Sequence, residues 1–369
     1  MTDLHGLIFA YNKDLRMREL IEHRTVSSIP FGGRYRVIDF MISNMVNADI
    51  HDVGVIMRES YQSLLDHLGA GKDWDLARKR GGLRLLPPFG YAGVRESYRG
   101  KMEALHHVGD YLQRIRQDYI VLADCDLIAN LPLEEIFEYH LKNGWDITCV
   151  CSHKPVGLVE SETYMVRGRR ERVEDVIIGR TELGAMEYLG VGIISRKMLL
   201  SLVSHCTAHN LHNYDRDVLQ GMTDKLNIGV YPFDGYAAKL QTTSGYFANS
   251  MDLLNPKVRA ELFLKSRPIK TKVRDEASTY YGDGAVVKNC IVADGCQIDG
   301  SVENSVIFRG VKIGKGATVK NSIIMQDTTI GDNAVLSYAI TDKDVKVTRE
   351  RMLMGHANYP IAISKNSVV

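Results

Sequence analysis

The stretch VIFRGVKIGKGATVKNSIIMQDTTIGDNAVL (306–336) decides the fold of the C-terminal part of the chain. Aliphatic residues recur in it every six positions, with Gly, Asn and Asp between them. This hexapeptide pattern is typical of a parallel β-helix, whose stacked coils bury a continuous aliphatic ladder. The period is followed at nine positions: Val286, Val292, Ile298, Ile307, Ile313, Val319, Ile324, Ile330 and Leu336. Breaks in its phase at 302–307 and 319–324 predict irregular corners.

The sequence before the repeats has a different organisation. Short apolar runs rich in β-forming residues alternate with stretches of helical periodicity. The runs are LIFA (7–10), VGVIM (53–57), YIVLA (119–123), ITCVC (147–151) and GVGII (190–194). Runs without polar alternation are typical of strands buried on both faces, so we predict a mostly parallel sheet covered by helices. We place this domain at 1–255, a linker at 256–279 and the β-helix domain at 280–369.

Composition excludes several classes of protein. The chain has 46 Lys+Arg against 45 Asp+Glu, a formal net charge of +1, so no basic excess supports general nucleic-acid binding. No apolar run reaches the roughly 18 residues that cross a bilayer, and the first residues are not those of a signal peptide. Its six cysteines include no Cys-x-x-Cys pair. We expect a cytoplasmic protein without a membrane segment.

The segment PFGGRYRVIDFMISN (30–44) carries a resemblance to a known family. It is similar to a signature of the bacterial glucose-1-phosphate adenylyltransferases, or ADP-glucose pyrophosphorylases. SYRGKMEAL (97–105) resembles the family's W-Y-x-G-T-A-D-A block, with Tyr98 and Gly100 as a vestige of its nucleotide or sugar pocket. YDRDVL (214–219) extends the match. The resemblance implies a Rossmann-like nucleotidyltransferase domain, a left-handed β-helix and a role in glycogen biosynthesis.

The first nucleotide loop departs from the family pattern. The family reads approximately G-G-x-G-T-R-L, and alignment without a gap places residues 11–17 there, with no glycine. Glycine lets backbone N–H groups approach phosphate oxygens at φ values that a β-carbon disfavours. Tyr11 and Asp14 instead add bulk and a negative charge, although Arg16 is retained and Lys13 is a candidate replacement for a lost arginine. We therefore predict a filled phosphate loop.

The metal and sugar-phosphate motifs also depart from the family. Against its L-x-G-D-H pattern, Cys125 falls at the metal position, and a slip of one residue would supply Asp124 or Asp126. Against its W-R-D-V-G motif, Asn249 replaces the second aspartate and lacks the charge that Mg²⁺ prefers. Against its E-K-P motif, Arg180 is the nearest cation. No intact catalytic set remains.

These departures together predict a subunit without independent activity. Removing one electrostatic contact to a transition state lowers a rate by about 10²–10³-fold, and three contacts are affected. The pattern resembles the GlgD-type members of the family: a non-catalytic or very weakly active regulatory subunit that needs no cofactor, binds an active adenylyltransferase subunit and forms homo-oligomers. The alternative is an active enzyme, in which Asp124 or Asp126 holds Mg²⁺ and Lys13 with Arg16 contacts the phosphates of ATP.

Three arginines are candidates for binding an anionic effector. In active relatives, basic residues matching Arg24 and Arg36 help to bind sugar-phosphate effectors, and Arg34 lies beside them here. Guanidinium groups recognise phosphate bidentately. A sugar-phosphate sensor acting outside this pathway is a further possibility.

His205, His209 and His212 include an i, i+4 pair, but no closed four-ligand set accompanies them, so we predict no metal site.

Overall fold

The computed structural model describes residues 3–11, 16–88, 98–157 and 162–369. The chain divides into two compact units, each assembled from separate stretches. Unit 1 comprises Met1–Asn12, Ile38–Lys239 and Leu264–Lys270. Unit 2 comprises Lys13–Val37, Leu240–Phe263 and Thr271–Val369. The predicted boundaries at residues 255 and 279 stay a prediction.

Unit 1 is built on a nine-stranded sheet in the order β10-β9-β11-β6-β1-β4-β5, with β8 beside β11 and β12 beside β8. Numbering elements in chain order over both units, these strands are β1 (Leu4–Phe9), β4 (Asp52–Ile56), β5 (Gly82–Leu86), β6 (Tyr119–Asp124), β8 (Ile147–Ser152), β9 (Thr163–Arg167), β10 (Val173–Ile178), β11 (Met186–Ser195) and β12 (Ile228–Pro232). Seven strands point the same way, and β10 and β11 oppose them. The predicted mostly parallel sheet is confirmed. A small antiparallel pair joins β7 (Leu127–Ala129) and β13 (Ala237–Lys239).

Both faces of this sheet are covered, as the unbroken apolar runs predict. Along β1, Leu7 and Phe9 enter one hydrophobic core, whereas Leu4 and Ile8 enter the other. Alternate side chains of a strand point to opposite faces, so each strand contributes to both cores. Among the described residues, the α- and π-helices of unit 1 are α2 (Val37–Asn47, whose first residue belongs to unit 2), α3 (Gln62–Leu68), α4 (Lys101–His107), α5 (Gly109–Arg114), α6 (Leu133–Asn143), α7 (Arg196–Ala208) and a π-helix (Tyr214–Gln220).

Unit 2 contains the predicted parallel β-helix. Its fifteen strands form three parallel five-stranded sheets: β14-β17-β20-β23-β26, β15-β18-β21-β24-β27 and β16-β19-β22-β25-β28. The strands are β14 (Tyr280–Tyr281), β15 (Val286–Lys288), β16 (Ile291–Val292), β17 (Gln297–Ile298), β18 (Ser301–Glu303), β19 (Val306–Ile307), β20 (Lys312–Ile313), β21 (Thr318–Lys320), β22 (Ile323–Ile324), β23 (Thr329–Ile330), β24 (Val335–Ser337), β25 (Ala339–Thr341), β26 (Lys346–Val347), β27 (Met352–Met354) and β28 (Ile361–Ile363). Unit 2 also holds α1 (Arg18–Ile21), β2 (Pro30–Phe31), β3 (Tyr35–Arg36), α8 (Thr243–Asp252) and α9 (Pro256–Leu262).

The inward ladder follows the predicted period with one correction. Ile298 pairs with Ile313, and Ile313 with Ile330, and all three side chains are buried. The prediction for Val286 is wrong: its side chain is 60% exposed, and the neighbouring Val287 pairs with Val302 of the ladder. In the first coil two adjacent valines fit the pattern equally well, so the sequence alone does not fix the phase there.

The corners at the two predicted breaks in phase have the same conformation as the corners of the neighbouring coils, and their irregularity stays a prediction. Asn304 and Asn321 lie at 302–307 and 319–324 and both have positive φ, 46° and 45°. Asparagine adopts this left-handed conformation more readily than most residues. The Asn289 side chain donates a 2.8 Å hydrogen bond to the Asn304 side chain, so one corner is also tied to the next coil. The same left-handed corner recurs at Asn289 and Tyr338, so turn chemistry sets a repeated corner of the β-helix.

The PFGGRYRVIDFMISN segment forms a hairpin and the start of a helix. Gly32 and Gly33 connect β2 to β3 with φ of 59° and 83°, values that favour glycine. The chain then enters α2, where Oδ1 of the buried Asp39 accepts a 2.6 Å hydrogen bond from His67 Nε2. In the described part of the chain, no helix combines the length and apolar character needed to cross a bilayer.

Candidate functional site

The ends of two neighbouring strands place Tyr11 and the candidates for the metal position at one edge of the unit 1 sheet. β1 and β6 are parallel, with Phe9 opposite Asp124 in register. Tyr11 follows β1, and Cys125 and Asp126 follow β6. Open α/β sheets bind ligands outside the carboxyl ends of their strands. We call this place the carboxyl edge.

A buried lysine is bound to carboxylates at the carboxyl edge. Lys101 begins α4 and is 4% exposed. Its Nζ lies 2.7 Å from Asp124 Oδ2 and 3.6 Å from Asp215 Oδ1. Burial alone lowers the pKa of Lys101, but the charges of Asp124 and Asp215 outweigh it and hold the pKa above the ordinary value. The ammonium group is therefore a permanent internal cation between two aspartates.

Aromatic rings complete the surroundings of this ammonium group. Lys101 Nζ lies 5.7 Å from the centroid of the Phe9 ring and 5.8 Å from that of the Tyr214 ring. Both distances permit cation–π attraction. The hydroxyl of Tyr11 is buried with no hydrogen-bond partner among the described residues, and its desolvation raises the pKa of Tyr11. Around this ammonium group the described residues thus combine aromatic rings with the two carboxylates.

A second buried ammonium group lies elsewhere in unit 1. Lys239 forms an ion pair with Glu162 and donates a 2.7 Å hydrogen bond to the Tyr188 carbonyl. Its Nζ is also 3.7 Å from Glu187, whose carboxylate accepts hydrogen bonds from the N–H groups of residues 156 and 157. Burial raises the pKa of Glu187. Through Glu187 these contacts fix β11 to the backbone at residues 156 and 157.

Unit 2 gathers the predicted effector residues into a basic region. Arg24 is 5% exposed and forms a buried ion pair with Asp342. The neighbouring Lys343 has its pKa lowered to about 7, chiefly by burial and then by the charges of Arg36 and Arg24. Two of the three candidate arginines are therefore close enough to Lys343 for their charges to act on it.

Arg34 is linked electrostatically to the same region by Arg309 and Arg274. Arg309 is 4% exposed, and its pKa is lowered by burial and by the charges of Arg34 and Arg274. Arg274 also acts on Lys343. Arg309 Nε has no hydrogen-bond partner among the described residues. We call Arg24, Arg34, Arg36, Arg274, Arg309 and Lys343 the unit 2 basic cluster.

Two family profiles match the chain in the order in which its folds occur. One, described as "Nucleotidyl transferase", matches residues 7–177, and another, described as "GlmU-like, C-terminal hexapeptide", matches 273–358. "Glycogen biosynthesis protein GlgD" of Bacillus subtilis (strain 168) is 36% identical over 353 residues, 95% of this chain and 93% of that protein. The protein of the same name from Geobacillus stearothermophilus is 38% identical over 314 residues, 85% and 82% of the two chains. "Glucose-1-phosphate adenylyltransferase" of the same species is 30% identical over 325 residues, again 85% and 82%.

The chain belongs to the glucose-1-phosphate adenylyltransferase family. The resemblance inferred from its motifs is confirmed, and the relatives named GlgD are similar to it over most of its length. The fold class inferred from the same motifs, a nucleotidyltransferase domain followed by a hexapeptide β-helix, is confirmed as well.

The residues at the carboxyl edge do not fit the Mg²⁺ that the family resemblance implies. Cys125, at the aligned metal position, is buried, and burial raises the pKa of its thiol well above the usual value. A neutral thiol is a poor ligand for Mg²⁺, which takes oxygen ligands. Asp124 is already bound to Lys101. No group of three or more His, Cys, Asp or Glu side chains suited to a metal occurs in the described ranges.

The remaining candidates of the adenylyltransferase pattern are distributed over both units. Arg180, in unit 1, is exposed and pairs with Glu182 at 3.4 Å. Arg16 is exposed and belongs to unit 2, as does Asn249 on α8. Lys13 lies outside the described residues. Of the predicted catalytic positions in the described part of the chain, Asp124 at the end of β6 contacts the buried Lys101, and Cys125 and Asp126 follow it directly.

Packing accounts for the two residues that match the family's Y-x-G element. Tyr98 is 2% exposed, with its ring centroid 5.2 Å from that of His107. A β-carbon on Gly100 would lie 2.2 Å from the backbone oxygen of His212, so only glycine allows this close approach. Sequence reasoning missed the roles of Lys101 and Asp215. The available signal was Lys101 itself, a charged residue at the threonine position of the family block.

Proposed function

We propose that this chain is a non-catalytic or very weakly active regulatory subunit of glucose-1-phosphate adenylyltransferase in glycogen biosynthesis, which modulates an active partner subunit. The names and coverage of the GlgD relatives support the pathway. The state of the carboxyl edge supports the lack of independent catalysis. The chain keeps the adenylyltransferase fold, but Lys101, Asp124 and Asp215 at the carboxyl edge are paired with one another.

The observation that carries the proposal is the buried Lys101–Asp124 ion pair. A divalent cation at Asp124 would have to displace the ammonium group or lie beside it, and either arrangement opposes the charge of Lys101. A lysine displaced from both carboxylates would be left buried and unpaired, which costs several kcal/mol. The pair therefore stabilises the fold at the expense of a metal site.

The unit 2 basic cluster supports effector binding by the same subunit. Arg34, Arg36 and Lys343 place positive charge in one region, and Arg24 has its own counter-ion in Asp342. Burial and then the repulsion from Arg36 and Arg24 lower the pKa of Lys343, and a bound sugar phosphate would offset that repulsion. We assign phosphate contact to Arg34, Arg36 and Lys343, and a supporting role to Arg24.

The proposal is tested by mixing the purified chain with an active adenylyltransferase subunit from the same organism. Size-exclusion chromatography should give a mixed oligomer, and the kcat, KM or effector response of the active subunit should change. Arg36→Gln should alter the effector response, whereas the exposed Arg351→Gln should not. Absence of a mixed species at micromolar concentrations, with unchanged kinetics, would refute the proposal.

A further inference from the structure

A large basic pocket lies at the edge of the unit 1 sheet opposite the carboxyl edge. The cavity has a volume of about 940 Å³ and is lined by residues at the start of β1, β4 and β5 and in the segment that leads into β6. We call it the amino-edge pocket. Its cationic lining residues are Arg78, Lys79, Arg80, Arg84, Arg114 and Arg116.

Most of this positive charge is not neutralised within the protein. Two carboxylates also line the pocket, Asp49 beside His51 at 2.8 Å and Asp52 at 3.8 Å from His5, so six cations face two anions. Among the six cations, Arg78 pairs with Asp75 at 2.6 Å. Within the described ranges none of the other five forms an ion pair at 4 Å or less, although the charge of Arg84 contributes to lowering the pKa of Asp52. A concave surface lined by charge of one sign concentrates the opposite ion.

A buried oxygen on the pocket wall has no partner in the described part of the chain. The Oε1 atom of Gln117, which lines the pocket, is buried and forms no hydrogen bond with a described residue. The buried His5 beside it is occupied, with its Nε2 3.1 Å from the Tyr111 hydroxyl and its Nδ1 3.8 Å from Asp52. Buried polar atoms are normally satisfied, so an unpartnered oxygen on a cavity wall indicates a bound water or ligand group.

We propose that the amino-edge pocket binds a compact anion carrying two or more phosphate groups. Its cations come from three separate segments, 78–80, β5 and 114–116, so they can contact more than one phosphate group. Arginine forks bind phosphate oxygens bidentately, and the volume lies in the range of small-molecule pockets. β1 has six residues, which separates its two ends by roughly 17 Å. The pocket is therefore distinct from the carboxyl edge, and it shares no residue with the unit 2 basic cluster.

Equilibrium dialysis of the full chain tests this proposal, with pyrophosphate, tripolyphosphate and ATP as probes at constant ionic strength. Arg114→Gln/Arg116→Gln removes two exposed cations and should weaken binding at least about tenfold, because hydrogen bonds between charged groups are lost. Arg169→Gln/Arg170→Gln removes the same charge from an exposed turn outside the pocket and should leave binding unchanged. Equal weakening in both double variants would overturn the proposal.

Further measurements separate this site from others that could hold the same probes. The Arg36→Gln/Lys343→Gln variant should retain the binding that Arg114→Gln/Arg116→Gln loses; the reverse result would place the anion at the unit 2 basic cluster and overturn the proposal. Tighter binding of ATP than of tripolyphosphate would identify a nucleotide, and equal binding an inorganic polyphosphate, both within the proposed class. Competition by a polyglutamate peptide as strong as that by tripolyphosphate would instead indicate an acidic protein segment and contradict a small-molecule site.

Discussion

The buried Lys101 forms an ion pair with the partly buried Asp124 at the end of the central strand β6, with 2.7 Å between Nζ and Oδ2. Lys101 is the first residue of α4, so the ion pair also fixes the start of this helix to the sheet. Asp215 provides a second carboxylate at 3.6 Å. The contact between Lys101 and Asp124 therefore affects both the stability of unit 1 and the availability of Asp124 for binding a metal ion.

Replacing Lys101 with methionine should lower the free energy of unfolding by about 3 kcal/mol, because two largely buried carboxylates would lose their cation. Urea unfolding of Lys101→Met against the wild type measures this loss. Arg99→Met is the control, since Arg99 forms an exposed pair with Glu103, and it should change the free energy by no more than about 1 kcal/mol. Equal losses in the two variants would contradict a special role for Lys101.

The isolated chain should release no pyrophosphate from ATP and glucose 1-phosphate above background. Asp124 is already paired with Lys101, and Cys125 places a buried thiol at the aligned metal position, so neither residue offers Mg²⁺ a carboxylate. A coupled pyrophosphate assay on the chain alone, with an active adenylyltransferase as positive control, checks this expectation. Clear release that Asp126→Ala abolishes would instead favour the active-enzyme alternative.

Anion binding at the unit 2 basic cluster should strengthen as the pH falls from 8 to 6. The pKa of Lys343 is lowered to about 7, so the free protein loses this charge as the pH rises through neutrality. A bound anion favours the protonated lysine and raises its pKa, so binding takes up a proton and is tighter at the lower pH. Up to about a tenfold change in affinity is expected for a shift of one pKa unit.

Sulfate is the suitable probe for this experiment because its own charge is constant between pH 6 and 8. Titration of sulfate into the wild type and into Lys343→Gln isolates the contribution of the lysine. Arg24, Arg36 and Arg274 also act on Lys343, and arginine stays protonated over this range, so the variant should bind with little pH dependence. A wild-type affinity that does not change with pH would contradict the assignment.

The sequence was sufficient to predict both folds for a simple physical reason. Strands buried on both faces and coils with one inward residue each leave a period in the chain, as Ile298, Ile313 and Ile330 illustrate. The error at Val286 arose where two adjacent residues suit the same position and only the pairing of Val287 with Val302 decides. Local pattern is thus informative for the elements and less so for exact phase.

The long-range ion pairs could not be predicted in this way. Arg24 and Asp342 are 318 residues apart in the chain, and Lys101 and Asp215 come from different elements. No local period links such residues, because their pairing is a result of the completed fold. The motif comparison found the carboxyl edge through Cys125 and its neighbours, but not the lysine that neutralises it.

The ladder of the β-helix gives the last prediction. Ile313 is 1% exposed between Ile298 and Ile330, so Ile313→Ala should leave a cavity and lower the free energy of unfolding by about 2–5 kcal/mol. The adjacent Lys312 is exposed, so Lys312→Ala should change this free energy by less than about 0.5 kcal/mol. Urea unfolding and hydrogen exchange across residues 296–341 measure both effects. Because a shift of one residue exchanges the inner and outer faces of a strand, a larger loss from Lys312→Ala than from Ile313→Ala would show that the register is wrong.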